Sequence, residues 1–143
     1  MKKVFLVLAF AAMIISCSLN DDEGQNVSYQ YARITDVDLP DTLELGNSYN
    51  FRITSEVSEC SVFDRFDDRQ IDDSTLTVAV LNRISLRENC NTMTDTVVNS
   101  VGLNVPSRNN TFKTYTFRFL QGADANDEPI FLTRSIPIKA SSN

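Results

Sequence analysis

The chain of 143 residues contains no histidine and no tryptophan. Without imidazole, Ser-His-Asp and Cys-His nucleophilic catalysis and histidine–metal ligation are excluded together. Positive charge is scarce. Thirteen Lys and Arg face 19 Asp and Glu, a formal net charge of −6. With no basic patch to neutralise phosphates, nucleic acid and anionic membrane surfaces are poor partners. Beyond Lys2 and Lys3, the lysines are Lys113 and Lys139, and neither sits in a Ser-x-x-Lys pattern. A membrane-spanning apolar run is also missing. Val4 to Ile15 is an unbroken apolar stretch of twelve residues. As a helix it would span about 18 Å, against about 30 Å for a bilayer core.

What is present begins at that stretch. Lys2-Lys3, the apolar run and then Ser16-Cys17 read as a cleaved leader over residues 1–16. Ile14-Ile15-Ser16-Cys17 resembles the lipobox of bacterial lipoproteins processed by signal peptidase II. The resemblance implies lipidation of the Cys17 thiol by palmitate-type chains, cleavage before it and acylation of the new amine. Each buried methylene adds about 0.8 kcal/mol, so two or three chains make a stable membrane anchor. An ordinary secretory signal followed by a coincidental cysteine is the competing reading. Asp21-Asp22-Glu23 follows closely and resembles the surface-export signal of Bacteroidota lipoproteins. Its plain alternative is a solvated tether over residues 17–27. Loss of Lys2 and Lys3 with the leader makes the mature chain more acidic still.

From residue 28 to 140 the chain reads as a single domain of strands, with a short tail at 141–143. Leu76, Val78, Val80, Ile84 and Leu86 share one parity, while Thr75, Thr77, Arg83, Ser85 and Arg87 hold the other. That period of two marks a sheet with one buried face. Asn82 interrupts the buried set and needs a hydrogen-bond partner there. Tyr49, Phe51, Ile53 and Val57 repeat the pattern, as do Val97, Val101, Leu103 and Val105. So do Tyr115, Phe117 and Phe119, followed by Ile130, Leu132, Ile136 and Ile138. Strands are expected near 29–37, 42–45, 48–57, 61–66, 75–86, 96–105, 113–120 and 129–138, with Pro137 placing the last at an edge. Seven or eight short strands predict an all-β, immunoglobulin-like β-sandwich, with a small closed barrel as alternative.

With Cys17 assigned to lipid, Cys60 and Cys90 remain and are expected to pair as a disulfide in an oxidising envelope. A catalytic thiol would lack the histidine that activates it. Asp64, Asp67, Asp68, Asp72 and Asp73, interleaved with Arg65 and Arg69, read either as a calcium loop or as a solvated loop. Asp124, Asn126, Asp127 and Glu128 are weak metal candidates, because alternating oxygen ligands resemble half a calcium loop. The same residue types suit any exposed turn. A carboxylate pair for glycoside hydrolysis would need a cleft that so small a domain rarely builds. Tyr29, Tyr31, Phe63, Phe66, Phe112 and Phe131 belong to no clear core face; Phe63 with Phe66 reads either as a small sticky patch or, as expected for most of these rings in so small an all-β domain, as core or rim. Thr42, Ser74 and Thr96 lie in Asp41-Thr42-Leu43, Asp73-Ser74-Thr75 and Asp95-Thr96-Val97, which resemble the O-glycosylation acceptor motif of Bacteroidota secreted proteins.

The whole layout resembles small Bacteroidota envelope lipoproteins. The reading is a non-enzymatic protein anchored through Cys17 to the outer membrane and exposed at the cell surface. It has no cofactor and no nucleic-acid partner, and acts as a binding or adhesion module for a protein or glycan. The alternatives are a periplasmic inhibitor or accessory lipoprotein of an envelope enzyme, and a structural envelope component. The Ser-Gly motif recurrent in lipoproteins that inhibit lysozyme is not seen.

Overall fold

A computed structural model describes residues 27–85, 94–105 and 113–139. The leader, Cys17, the acidic cluster, Cys90, Phe112 and the tail lie outside them. All regular structure among the described residues is extended. In chain order the strands are β1 (Val27–Ala32), β2 (Ile34–Asp38), β3 (Leu43–Glu44), β4 (Ser48–Ser58) and β5 (Ser61–Asp72). There follow β6 (Thr75–Ser85), β7 (Thr94–Asn104), β8 (Thr114–Ala123) and β9 (Pro129–Lys139).

They form two sheets packed as a β-sandwich, and no closed barrel. In the larger sheet β6 is central. One of its edges carries β5, antiparallel from Ser61↔Ile84 to Asp72↔Thr75. Its other edge is divided: β1 runs antiparallel along Val80–Ser85, and β8 runs parallel along Thr75–Val78. Beyond β8 lie β9, antiparallel, and the two residues of β3, parallel to β9. The smaller sheet is β2-β4-β7, antiparallel throughout. The expected sandwich is therefore observed, with nine strands rather than seven or eight among the described residues. Two of its pairings are parallel, a departure from an all-antiparallel plan.

The extra strand comes from the expected 29–37 element. Ala32 still pairs with Val80 of the larger sheet, whereas Ile34 pairs with Ser55 of the smaller one. Arg33 is the step between them, its carbonyl accepting from Glu56 N at 2.9 Å. Both apolar neighbours of that step, Ala32 and Ile34, are buried in the core. One continuous strand could not serve two sheets at once.

Period-two patterning explains the rest. Tyr115, Phe117 and Phe119 of β8 are fully buried, as are Ile53 and Ser55 of β4. The Phe51 ring meets Phe117 and Phe119 edge-on across the sandwich, with centroids 5.7 and 6.3 Å apart. Edge-to-face pairs contribute about 0.5–1.5 kcal/mol beyond area burial. On β6 both faces are buried from Val78 to Asn82, because it is flanked on each side. Leu81 stands in register between Tyr31 and Arg65, whose side chains shelter it. Pro137 pairs with Thr114 of β8; β9 lies one place in from the edge, covered by β3 at Ile138 and Lys139, and it ends two residues after Pro137. Gly122 takes a φ of 122° where the β8–β9 register shifts, a backbone conformation that favours glycine.

The acidic stretch 64–72 is not a loop. It is the body of β5, which pairs only with β6. Asp64, Asp67, Asp68 and Asp72 with Arg65 and Arg69 charge an edge strand, and such charges discourage pairing with a second chain.

Candidate ligand-binding site at one end of the sandwich

The sequence-derived candidates fall into two groups, those the fold consumes and those it leaves available. Asp72 closes the β5–β6 turn: its Oδ1 accepts from Ser74 N at 2.8 Å and Ser74 Oγ at 3.0 Å. The backbone bond from Ser74, then its hydroxyl, hold the Asp72 carboxyl below the usual range. Asp124 does the same before β9, with Oδ1 accepting from Asn126 N at 2.7 Å and Glu128 N at 3.0 Å. Those backbone bonds lower its pKa, the one from Glu128 first. Asp127 completes the turn at φ 62°, in the left-handed region that Asp tolerates. The 124–128 segment thus spends its leading carboxylate on its own backbone. Among the described residues no three acidic or cysteine side chains are grouped to hold a metal ion.

Of the glycosylation candidates, Thr96 is exposed on β7, Thr42 is half-buried before β3, and Ser74 is half-buried with its hydroxyl bonded to Asp72. Cys60 lies in the β4–β5 turn, where its carbonyl accepts from Ser85 N at 2.9 Å.

Among the aromatics, Phe63 and Phe66 do not form an exposed patch. They are half-buried, pack on the core and meet at a tilt, with centroids 5.0 Å and ring planes 59° apart. The bulge between Phe63 and Arg65 explains this, because the extra residue turns both phenylalanines toward the interior. Phe131 is half-buried beneath Arg118, whose guanidinium lies 4.1 Å from the ring centroid. Tyr29 and Tyr31 are different: 55% and 50% exposed, on the outer face of the larger sheet, near Val62 at 58%.

Cross-strand register arranges these residues in rows. Tyr29, Arg83 and Val62 form one row across β1, β6 and β5; Tyr31, Leu81 and Arg65 form the next. Arg65 lies 5.8 Å from the Tyr29 ring centroid. The Tyr31 hydroxyl donates to Asp67 Oδ2 at 2.6 Å, and that bond to a carboxylate raises the Tyr31 pKa. The rings are therefore held in place on the surface by cation–π and charge-assisted contacts.

Beside this face, where β1 steps to β2, the two sheets leave a gap of 260 Å³. Its wall includes Arg33, Glu56, Val57, Asn82, Ile84 and Thr94. Asn82 is 4% exposed. Its Nδ2 donates to the Glu56 carbonyl at 3.4 Å, which sets the amide's orientation, and its Oδ1 has no hydrogen-bond partner. At the mouth, Arg33 Nη1 and Glu56 Oε1 are 3.9 Å apart and both partly exposed. The sequence marked Asn82 as a buried amide in need of a partner. The gap it lines was not legible, because its walls come from strands distant in the chain.

Comparison with protein-family models, with curated proteins and with solved structures gives no match.

Proposed function

We propose that this chain is a non-enzymatic, lipid-anchored protein of the outer membrane that acts as a surface-exposed binding module. The observation that carries the binding role is the row of exposed, immobilised Tyr29 and Tyr31 beside Arg65 and Val62. Tyrosine and arginine are enriched at interfaces because each presents a large contact area with a polar tip at modest entropic cost. A sheet face, rather than the loops at the end of the sandwich, is thus the main contact surface. The anchor and export parts of the proposal rest on Ile14-Ile15-Ser16-Cys17 and Asp21-Asp22-Glu23, and the absence of histidine supports a role without catalysis.

A Cys60–Cys90 disulfide belongs to the same proposal. It is supported by the place of Cys60 in the β4–β5 turn, hydrogen-bonded to Ser85, five residues before Cys90 in the chain. Closing a loop of about 30 residues would contribute about 3–4 kcal/mol in the chain-entropy view. Thiol titration of the unfolded, unreduced chain should find neither residue reactive.

The test of location is protease shaving of intact cells, with Cys17→Ala as control. Release of the domain from wild-type cells and mislocalisation of the variant are expected. A domain cleaved only after cell disruption would overturn the surface role and favour a periplasmic accessory protein.

A further inference from the structure

We propose that the free edge of β7 accepts an additional strand from a partner protein, an extended segment with one Lys or Arg among apolar side chains on its inward row. This surface is separate from the tyrosine face and goes beyond the binding role given to it.

The edges of the two sheets are protected unequally. β5 is charged along its length, β3 has two residues and β2 has five. β7 has eleven residues, pairs among the described residues only with β4, and keeps one register without a bulge from Thr94 to Asn104. It contains no Lys, Arg or Pro, and Asp95 is its one charge. Long, straight edges of that kind are open to strand addition, and natural proteins ordinarily block them. The direction of the backbone groups follows from alternation. Val105 N donates to the Asn47 carbonyl at 3.0 Å, so the odd-numbered residues of β7 bond toward β4. Thr96, Val98, Ser100, Gly102 and Asn104 therefore point their N–H and C=O groups away from it. Accordingly, Thr96 N donates to Asp95 Oδ1 at 2.7 Å rather than to β4.

The opening beside that edge selects the side chains. Val101 and Leu103 of β7 are half-buried and pack on the core. Asp68 of β5 borders the same 270 Å³ gap as they do. It stands opposite the buried Val78 of β6 and so shares the inward side of the sheet. Asp68 is exposed and has no hydrogen-bond or ion-pair partner among the described residues. No Lys or Arg among them borders the gap. Alternate residues of an added strand would face this opening. Apolar ones there extend the cover over Val101 and Leu103, and a cation meets Asp68. A second copy would instead bring another chain of net charge −6 beside Asp68, which like-charge repulsion disfavours.

The test is fluorescence anisotropy on the purified full chain in detergent. The probe is the labelled synthetic peptide Val-Thr-Val-Thr-Lys-Thr-Val-Thr-Val. Beside it stand a twin with Glu in place of Lys and two twins methylated at every second backbone nitrogen, one in each phase. The Lys peptide is expected to bind with a Kd of about 100 μM, and the Glu twin about fivefold more weakly. Methylation in one phase should abolish binding. Ser100→Pro removes an outward N–H and spares the bonds to β4, so it should abolish binding too. Asp68→Asn should erase the preference for Lys. Should Ser100→Pro fail to fold, as read by thermal melting, the methylated twins decide. The proposal is overturned by absence of binding to the Lys peptide, by binding that survives methylation in both phases, or by equal affinity for Lys and Glu. Self-association of the chain that Ser100→Pro abolishes would assign the edge to a second copy and overturn the partner. Tyr31→Phe should leave peptide binding unchanged; its loss there would place the peptide on the tyrosine face instead.

Discussion

Two gaps of similar size open between the sheets, and they treat their polar groups in opposite ways. The first, 260 Å³, is lined in part by Asn82, whose buried amide oxygen is left without a donor. The second, 270 Å³, lies between β5 and β7, walled by Phe51, Asp68, Gln70, Leu76, Gly102 and Asn104. There Gln70 uses both ends of its amide. Its Oε1 accepts from the Tyr115 hydroxyl at 2.9 Å, and its Nε2 donates to the carbonyls of Thr75 and Asp72. Burial of Tyr115 raises its phenol pKa. Gln70 is a structural tie at an exposed edge, whereas Asn82 is buried and bonded through its nitrogen alone, its oxygen left unsatisfied.

The largest effect should come from enlarging the second gap. Phe51→Ala removes a ring that lines it and meets Phe117 and Phe119, so it should cost about 3–5 kcal/mol. A denaturant midpoint lowered at constant m-value is the expected result. Next come two substitutions of opposite sign. Gln70→Leu removes the bonds to Tyr115 and Thr75 and should destabilise by about 1 kcal/mol. Asn82→Leu removes a buried unsatisfied oxygen and should be neutral or stabilising by about 1 kcal/mol. Equal losses at the two sites would erase the contrast drawn between the gaps.

Smaller effects are expected from pH. The folded Asp72 and Asp124 carboxyls titrate below their ordinary value. Their contribution is therefore complete above about pH 4 and is lost as pH falls through the lower folded values. Asp124→Ala should flatten the decline of Tm in that acid range. Tyr31 is shifted the other way, chiefly by its bond to Asp67. Its contribution is present below about pH 10 and is lost as pH rises through the higher folded value. Tyr31→Phe should remove that alkaline component, and an unchanged alkaline melting profile would show that the tyrosine face is not held by Asp67.

Much of the fold was legible from local alternation. Phe51 and Ile53, and the series Tyr115, Phe117 and Phe119, were placed on the buried parity and are buried. The strand expected over 61–66 is the first half of β5, but its acidic continuation to Asp72 was misread as a loop because charge masks period-two patterning where a strand sits at a sheet edge. Phe63 and Phe66 could not be given a core face for a related reason, since a bulge shifts parity without any glycine or proline to announce it. Tyr29 and Tyr31 were recognised as unassigned aromatics, but their exposure depends on β1 lying outermost against half of β6.

Alternation, punctuation and composition are properties of neighbouring residues. They suffice for an all-β chain with a buried parity on most strands, and for the exclusion of imidazole chemistry. Pairing is a property of distant ones. That Arg33 carries the chain from one sheet to the other, that β6 shares one edge between β1 and β8, and that the Asn82 amide meets the Glu56 carbonyl are settled only when strands far apart in sequence meet. Backbone hydrogen bonds can join any two strands, so only side-chain packing across the finished sandwich selects among the partners.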